Sequence, residues 1–259
     1  MPPTLLSLHN VYKTFGGLLA VQDIGFEVIR DTVVGVIGPN GAGKTTVFNL
    51  ITGSIKPDSG KVIFLKKPIT GLKPHSIVNK GIARTFQTIR LFSKLTVLEN
   101  VLSGCHTRME AGLVASILRL PSQRREERKF IDRAMDELEF VGLESKWQHP
   151  ADSLAYGDQR RLEIARALAS DPQLLILDEP AGGMNEQETI KLGDLIRKIK
   201  KRKITVMLIE HDMSFVMDVC DKVVVMEGGL KIAEGSPMEI QKNQRVIEAY
   251  LGVDDENGY

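Results

Sequence analysis

The chain has 259 residues, 42% of them hydrophobic and 26% charged, which are ordinary values for a globular protein with a sizeable core. It carries 34 Lys and Arg against 33 Asp and Glu, a formal net charge of +1, which excludes any broad electrostatic drive toward nucleic acid or an anionic membrane. Cys105 and Cys220 lie far apart with no second metal ligand at zinc-site spacing, so neither a structural disulfide nor a zinc site is predicted, and a reducing cytoplasm is the expected setting.

Residues 1–10 show no basic segment followed by an apolar one, which predicts no secretory leader. Residues 5–11, 24–28 and 33–37 are short apolar or alternating runs broken by Gly-Gly, Asp and Arg-Asp, and they read as strands. After 38–43 the period changes to that of a helix through Thr45, Val47, Leu50 and Ile51, with Gly53 as its stop. Residues 61–65 form another strand after a turn-like Lys56-Pro-Asp-Ser-Gly60. From about 97 to 168 the pattern is mostly helical, with Ile131, Met135, Leu138 and Val141 expected on one face. Within it, 122–129 is densely charged, as a solvated helix face would be. The last third alternates strand 174–177, helix 186–201, strand 205–209, helix 213–220 and strand 222–226, then a final amphipathic helix over 241–251 and a fraying tail from 254. Strands alternating with helices predict parallel pairing in an α/β fold with both sheet faces covered. The longest apolar runs fall far short of the roughly 20 residues of a spanning helix, so any action at a membrane needs another chain to carry it there.

Gly38-Pro39-Asn40-Gly41-Ala42-Gly43-Lys44-Thr45 fits the phosphate-loop pattern at every fixed position, between an apolar strand and a helix. Gly38, Gly41 and Gly43 let the backbone curl so that successive N–H groups face phosphate oxygens. The positive end of the following helix adds to that field. Lys44 is expected on the β- and γ-phosphates and the Thr45 hydroxyl on Mg²⁺, with Thr46 completing the nucleotide-binding segment.

A second strand, 174–177, ends in Asp178-Glu179-Pro180. The carboxyl ends of strands line the ligand crevice of a doubly wound sheet, so Asp178 is placed to hold Mg²⁺ and Glu179 to act as general base on water. The same end-of-strand position brings His211, in Ile209-Glu-His-Asp212, to the crevice.

With these motifs in order, the chain resembles the ATP-binding subunits of ABC transporters over nearly its whole length. Between loop and acidic strand stands Leu154-Ala155-Tyr156-Gly157-Asp158, similar to a family signature usually written Leu-Ser-Gly-Gly-Gln. The resemblance implies that this segment serves the γ-phosphate on the opposite subunit of a head-to-tail dimer. Ala155 removes one hydroxyl donor and Asp158 stands in place of Gln, while the backbone N–H groups and helix dipole remain. By the same likeness Gln87 senses Mg²⁺ and water, Phe15 stacks on adenine or packs in the core, His211 contacts the γ-phosphate, and Asn185 stands where Asp is usual in a loop crossing the dimer.

The implied architecture is one ATP-binding domain over residues 1–259. It comprises a P-loop NTPase (RecA-like) core, an antiparallel β subdomain, a helical signature subdomain over about 92–168 and a C-terminal helix and tail from about 237. Within the family the likeness is greatest to LivG-type branched-chain amino acid importer subunits, through 84–92, 162–166, 208–213, 246–252 and the extended stretch near 104–129. Urea or amide importers and the lipopolysaccharide-export ATPase share much of the pattern. The implied cofactors are ATP and Mg²⁺. The implied partners are multi-spanning permease subunits, a second ATPase copy or homologue and an extracytoplasmic substrate-binding protein, with no nucleic acid; the implied place is the cytoplasmic face of a membrane, held peripherally. A soluble ABC ATPase acting on ribosomes or nucleic acid is the competing class. The near-zero charge and the lack of a second nucleotide domain argue against it.

Overall fold

In a computed structural model, which describes residues 3–105 and 121–251 with side chains of these except 121–127 and 251, the chain forms two compact units. In chain order the strands and helices are β1 (Thr4–Phe15), β2 (Leu18–Ile29), β3 (Val33–Ile37), α1 (Lys44–Ile51), β4 (Ser59–Phe64), β5 (Lys67–Pro68), α2 (Pro74–Val78), β6 (Ile82–Arg84), α3 (Val97–Cys105), α4 (Pro121–Val141), α5 (Tyr156–Leu168), β7 (Leu174–Asp178), α6 (Glu186–Lys201), β8 (Thr205–Ile209), α7 (Met213–Val219), β9 (Lys222–Glu227), β10 (Leu230–Gly235), α8 (Pro237–Gln241) and α9 (Gln244–Leu251). The first unit spans Met1–Ile77 and Ile176–Tyr259, the second Val78–Leu175.

The first unit holds two sheets. One is antiparallel, in the order β2-β1-β4-β5. The other runs β10-β9-β3-β8-β7, with β3 parallel to both β8 and β9 and β10 folded back antiparallel on β9. Every residue of β3, β7 and β8 is buried, so apart from Thr205 and Asp178 at their ends these strands read as continuous apolar runs without alternation. The long β1–β2 hairpin turns at Gly16 and Gly17 and carries several register shifts, which let it extend well past the 5–11 and 24–28 runs expected from hydrophobicity.

In the second unit α3, α4 and α5 pack on one another, and Gly104 is what permits the close crossing of α3 and α5. A methyl group there would fall 2.0 Å from the Arg166 carbonyl oxygen. The stripe α4 buries is Ala134, Leu138 and Val141, while Ile131 stays 42% exposed, contrary to the expected face. The 3.6 period located this helix, but its neighbours chose which edge of the stripe to cover.

The last helix differs from expectation too. Instead of one helix from 241, α8 ends at Gln241 and α9 starts at Gln244, because Ser236 and Glu239 form a capping box that starts a separate short helix. β6 and β10 go beyond the sequence expectation: β6 has only three residues, and no residue of β10 is buried, so neither offers a continuous buried apolar run. The charged stretch 122–129 lies on the α4 backbone, but the side chains of 122–127, residues 106–120 of the extended stretch, and the tail from 254 lie outside the described residues.

Candidate nucleotide site

The parallel register decides which loops meet. Val36 of β3 pairs with Ile209 of β8, and Ile37 pairs with Val225 of β9, so the segments leaving β3 and β8 at their carboxyl ends emerge side by side. Those segments are the glycine-rich loop from Gly38 and the Glu210-His211 pair. The Glu179 N–H donates to the Ile209 carbonyl at 3.0 Å, bringing the acidic end of β7 to the same edge. Loop, Asp178, Glu179 and His211 thus share one edge of the first unit.

Only glycine fits at Gly38, where φ is 147° and a Cβ would lie 2.0 Å from the Met226 carbonyl oxygen. Gly43, at φ 96°, caps α1, which has neither a side-chain cap nor an acid in its first turn. The helix therefore presents free N–H groups and an uncompensated positive end to the loop. At Gly41 an added Cβ would meet nothing within 4 Å, so the loop is open there. Pro39 is half-buried, Asn40 exposed and Ala42 buried, and Thr46 follows on α1.

Lys44 is 8% exposed, and its Nζ donates to the carbonyls of Gly38 at 2.7 Å and Pro39 at 2.9 Å. Burial holds its pKa below the ordinary lysine value, and the nearby Glu179 carboxylate works against that. The ammonium is folded back over the loop, where a phosphate would compete for it.

Asp178 is 3% exposed at the end of β7, and Thr45 is exposed on the first turn of α1. Among the described residues no group of three or more His, Cys, Asp or Glu gathers as a metal cage. A carboxylate and a hydroxyl are hard oxygen donors that fit Mg²⁺, an ion that takes few protein ligands and relies on substrate phosphates and water for the rest. Glu179 is half-buried with φ 47°, a left-handed conformation that costs a non-glycine residue about 1–2 kcal/mol.

Phe15 is 45% exposed at the end of β1, which rules out the core-packing alternative. The strand beneath it is held by Asp58, which accepts from the Thr14 N–H and the Lys13 ammonium, each at 2.7 Å. Asn185 has a local job: its side chain caps α6 in a reciprocal box with Glu188.

The second unit carries Gln87 and the Leu154–Asp158 segment. Gln87 is exposed, and its carbonyl accepts from Arg160 at 2.9 Å. Leu154 and Gly157 are buried, Ala155 is the exposed N-cap of α5 with no side-chain cap, and Tyr156 is 44% exposed. Asp158 is engaged by Lys146 at 2.5 Å and by Arg161. Burial alone would raise the Asp158 pKa, but these two cations together hold it below the usual carboxylate value.

Three contributors escaped sequence reasoning. Arg160, 1% exposed, links α5 to the Phe86-Gln87 backbone. Glu210, 1% exposed, accepts from the Ala181 N–H at 2.7 Å; its legible signal was an acid standing directly after an all-apolar strand and before the histidine. Tyr250 lies with its hydroxyl buried beside the Gly38 amide, short of good hydrogen-bonding geometry; burial pushes its pKa up to about 12, with the Gly38 N–H acting weakly against it. No local pattern announces a contact made across so much sequence.

Residues 21–182 match the family model described as ABC transporter, and residues 231–256 match that of the branched-chain amino acid ATP-binding cassette transporter. The high-affinity branched-chain amino acid transport ATP-binding protein LivG of Escherichia coli K12 is 45% identical over 97% of this chain and 99% of its own length. An ATP-binding cassette of an ABC transporter, crystallised in its ADP conformation, superposes with a TM-score of 0.85 at 33% identity, covering 96% of this chain and 99% of that one. A bacterial ABC transporter cassette solved as a dimer gives a TM-score of 0.75 at 25% identity, over 90% and 99%.

Proposed function

The chain belongs to the ABC transporter family of ATP-binding proteins, and we propose that it is the ATPase subunit of a branched-chain amino acid importer. The observation that carries the ATPase reading is the convergence of the phosphate loop, Asp178-Glu179 and Glu210-His211 at the carboxyl edge of β3, β7 and β8. The cargo reading is supported by the 45% identity to a relative named for branched-chain amino acid transport, over nearly the full length of both chains.

ATP phosphates bind in the loop from Gly38 to Thr46, where the free N–H groups of α1 face them and Lys44 exchanges its carbonyl partners for phosphate oxygens. Thr45 and Asp178 are the residues that would hold Mg²⁺, which when bound would neutralise phosphate charge, and the exposed Gln87 keeps the Mg²⁺-sensing role that the family likeness implies. Glu179, which follows β7 in a left-handed backbone conformation, draws a proton from the attacking water. His211 donates to the γ-phosphate, and the exposed Phe15 ring offers a flat face to adenine.

The Leu154–Asp158 segment serves the nucleotide of an opposite ATPase subunit, a second copy or a homologue, through the uncapped N–H groups of α5. Among the described residues no helix is long and apolar enough to cross a membrane. By family likeness the chain acts from the cytoplasmic face, docked on permease subunits that a substrate-binding protein loads from outside. The docking place we propose is a cleft of about 250 Å³ in the second unit, lined by Val78, Ala83, Phe92, Gly104 and Arg166. The two units together form one ATP-binding domain with an inserted helical subdomain.

The test is uptake in vesicles containing the assembled transporter. ATP-dependent entry of labelled leucine, competed by isoleucine and valine and absent with Glu179→Gln, is expected. Intact hydrolysis with uptake of urea and no entry of branched-chain amino acids would overturn the cargo.

A further inference from the structure

Two neighbouring strands, β7 and β8, end at the site and both turn sharply. Just beyond β7 the backbone passes through the left-handed conformation of Glu179 and into the Ala181–Gly183 turn. Just beyond β8 it reaches His211. A turn of this kind frees N–H groups from the sheet ladder, and buried ones need partners. The partner is the Glu210 carboxylate: Oε1 accepts from the Ala181 N–H at 2.7 Å and Oε2 from the His211 N–H at 3.3 Å.

We propose that Glu210 is a positioning residue, whose buried carboxylate fastens the turn carrying Glu179 to the backbone carrying His211 so that base and phosphate donor hold one geometry. A 1% exposed carboxylate is a costly way to fill space, and an apolar side chain would fill it better. The position calls for a side chain with two acceptor oxygens and no donor, because both facing groups are N–H. The Ile209 carbonyl adds a third tie, accepting from the Glu179 N–H at 3.0 Å, so Glu179 is held from the residue just before Glu210 as well. Burial pushes the Glu210 pKa up, with the backbone bond from Ala181 acting against it. Glu210 does not itself touch the nucleotide in this reading; it acts through its neighbours, and the proposal rests on the ATPase reading.

The experiment uses the purified full-length protein. Wild-type turnover and the Glu179→Gln variant come first, so a failure of the ATPase reading is visible on its own. Glu210→Gln keeps the side chain's shape but sets an amide N–H₂ against a backbone N–H. It is expected to lower kcat by about tenfold or more while the dissociation constant for a fluorescent ATP analogue stays within about threefold. The double variant Glu210→Gln/His211→Ala should turn over within about threefold of His211→Ala alone, because both changes disable one arrangement.

A folded Glu210→Gln variant with kcat within about twofold of wild type would overturn the proposal, as would effects that multiply with His211→Ala or a loss confined to ATP affinity. A separate arm needs no variant. In the wild-type protein the Ala181 amide, although in a turn, should resist hydrogen exchange as strand amides do, and fast exchange there would sink the idea even if Glu210→Gln fails to fold.

Discussion

Arg160 and Glu163, one helical turn apart on α5, form an ion pair at 2.9 Å with both side chains withdrawn from solvent, 1% and 0% exposed. Arg160 also donates to the carbonyls of Phe86 at 2.7 Å and Gln87 at 2.9 Å and, at 3.4 Å, to the Tyr156 hydroxyl, so one buried guanidinium ties the signature helix to the segment that carries Gln87. This pair neutralises its own charge in the interior and lends most of its remaining hydrogen bonding to the Phe86-Gln87 backbone.

Breaking a buried pair strands a charge. Glu163→Ala should cost about 3–5 kcal/mol of stability, read by urea unfolding. Replacing both residues with leucine should cost less than the sum of the single changes, since the buried Arg160 charge leaves with its partner and only Arg166, paired with Glu163 at 3.9 Å, loses a carboxylate. Additive losses would mean that the two side chains are not coupled.

Glu179→Gln preserves the shape of the side chain and removes its basicity. Turnover should fall by about 10²–10⁴-fold while ATP still binds, a split resolved by comparing phosphate release with nucleotide affinity. Unchanged steady-state hydrolysis would dismiss Glu179 as the base.

The Asp158 network has a pH signature. Its folded pKa lies below the ordinary 3.8, so its contribution is present above that value and is lost as pH falls through the depressed folded value. The difference in melting temperature between wild type and Asp158→Asn should therefore be steady at neutral pH and shrink below about pH 4. Because Lys146 is 42% exposed, added salt should shrink it as well.

The Tyr250 hydroxyl is buried with no hydrogen-bond partner among the described residues. Removing it in Tyr250→Phe should raise stability by about 1 kcal/mol and leave the ring packed beside Gly38, measured by chemical denaturation. A loss of stability would show that the hydroxyl has a partner in solution.

The chemistry was written locally. Gly38 to Thr45, Asp178-Glu179 and His211 stand at strand ends, and their candidate roles were legible because phosphate, metal and water each call for particular groups at short spacing. The alternation of buried strands with helices also gave the α/β class and most of the elements of the last third. The tertiary structure alone decided how these pieces are braced. Glu210 reaches Ala181, Arg160 reaches Phe86 and Tyr250 approaches Gly38, all through atoms brought together by strand register or helix crossing. It also decided that Phe15 stands exposed, that Ile131 lies off the packed face of α4, and that Asn185 serves as a helix cap. Periodicity describes one element at a time, whereas a buried polar contact depends on two elements and on the backbone groups each leaves unpaired.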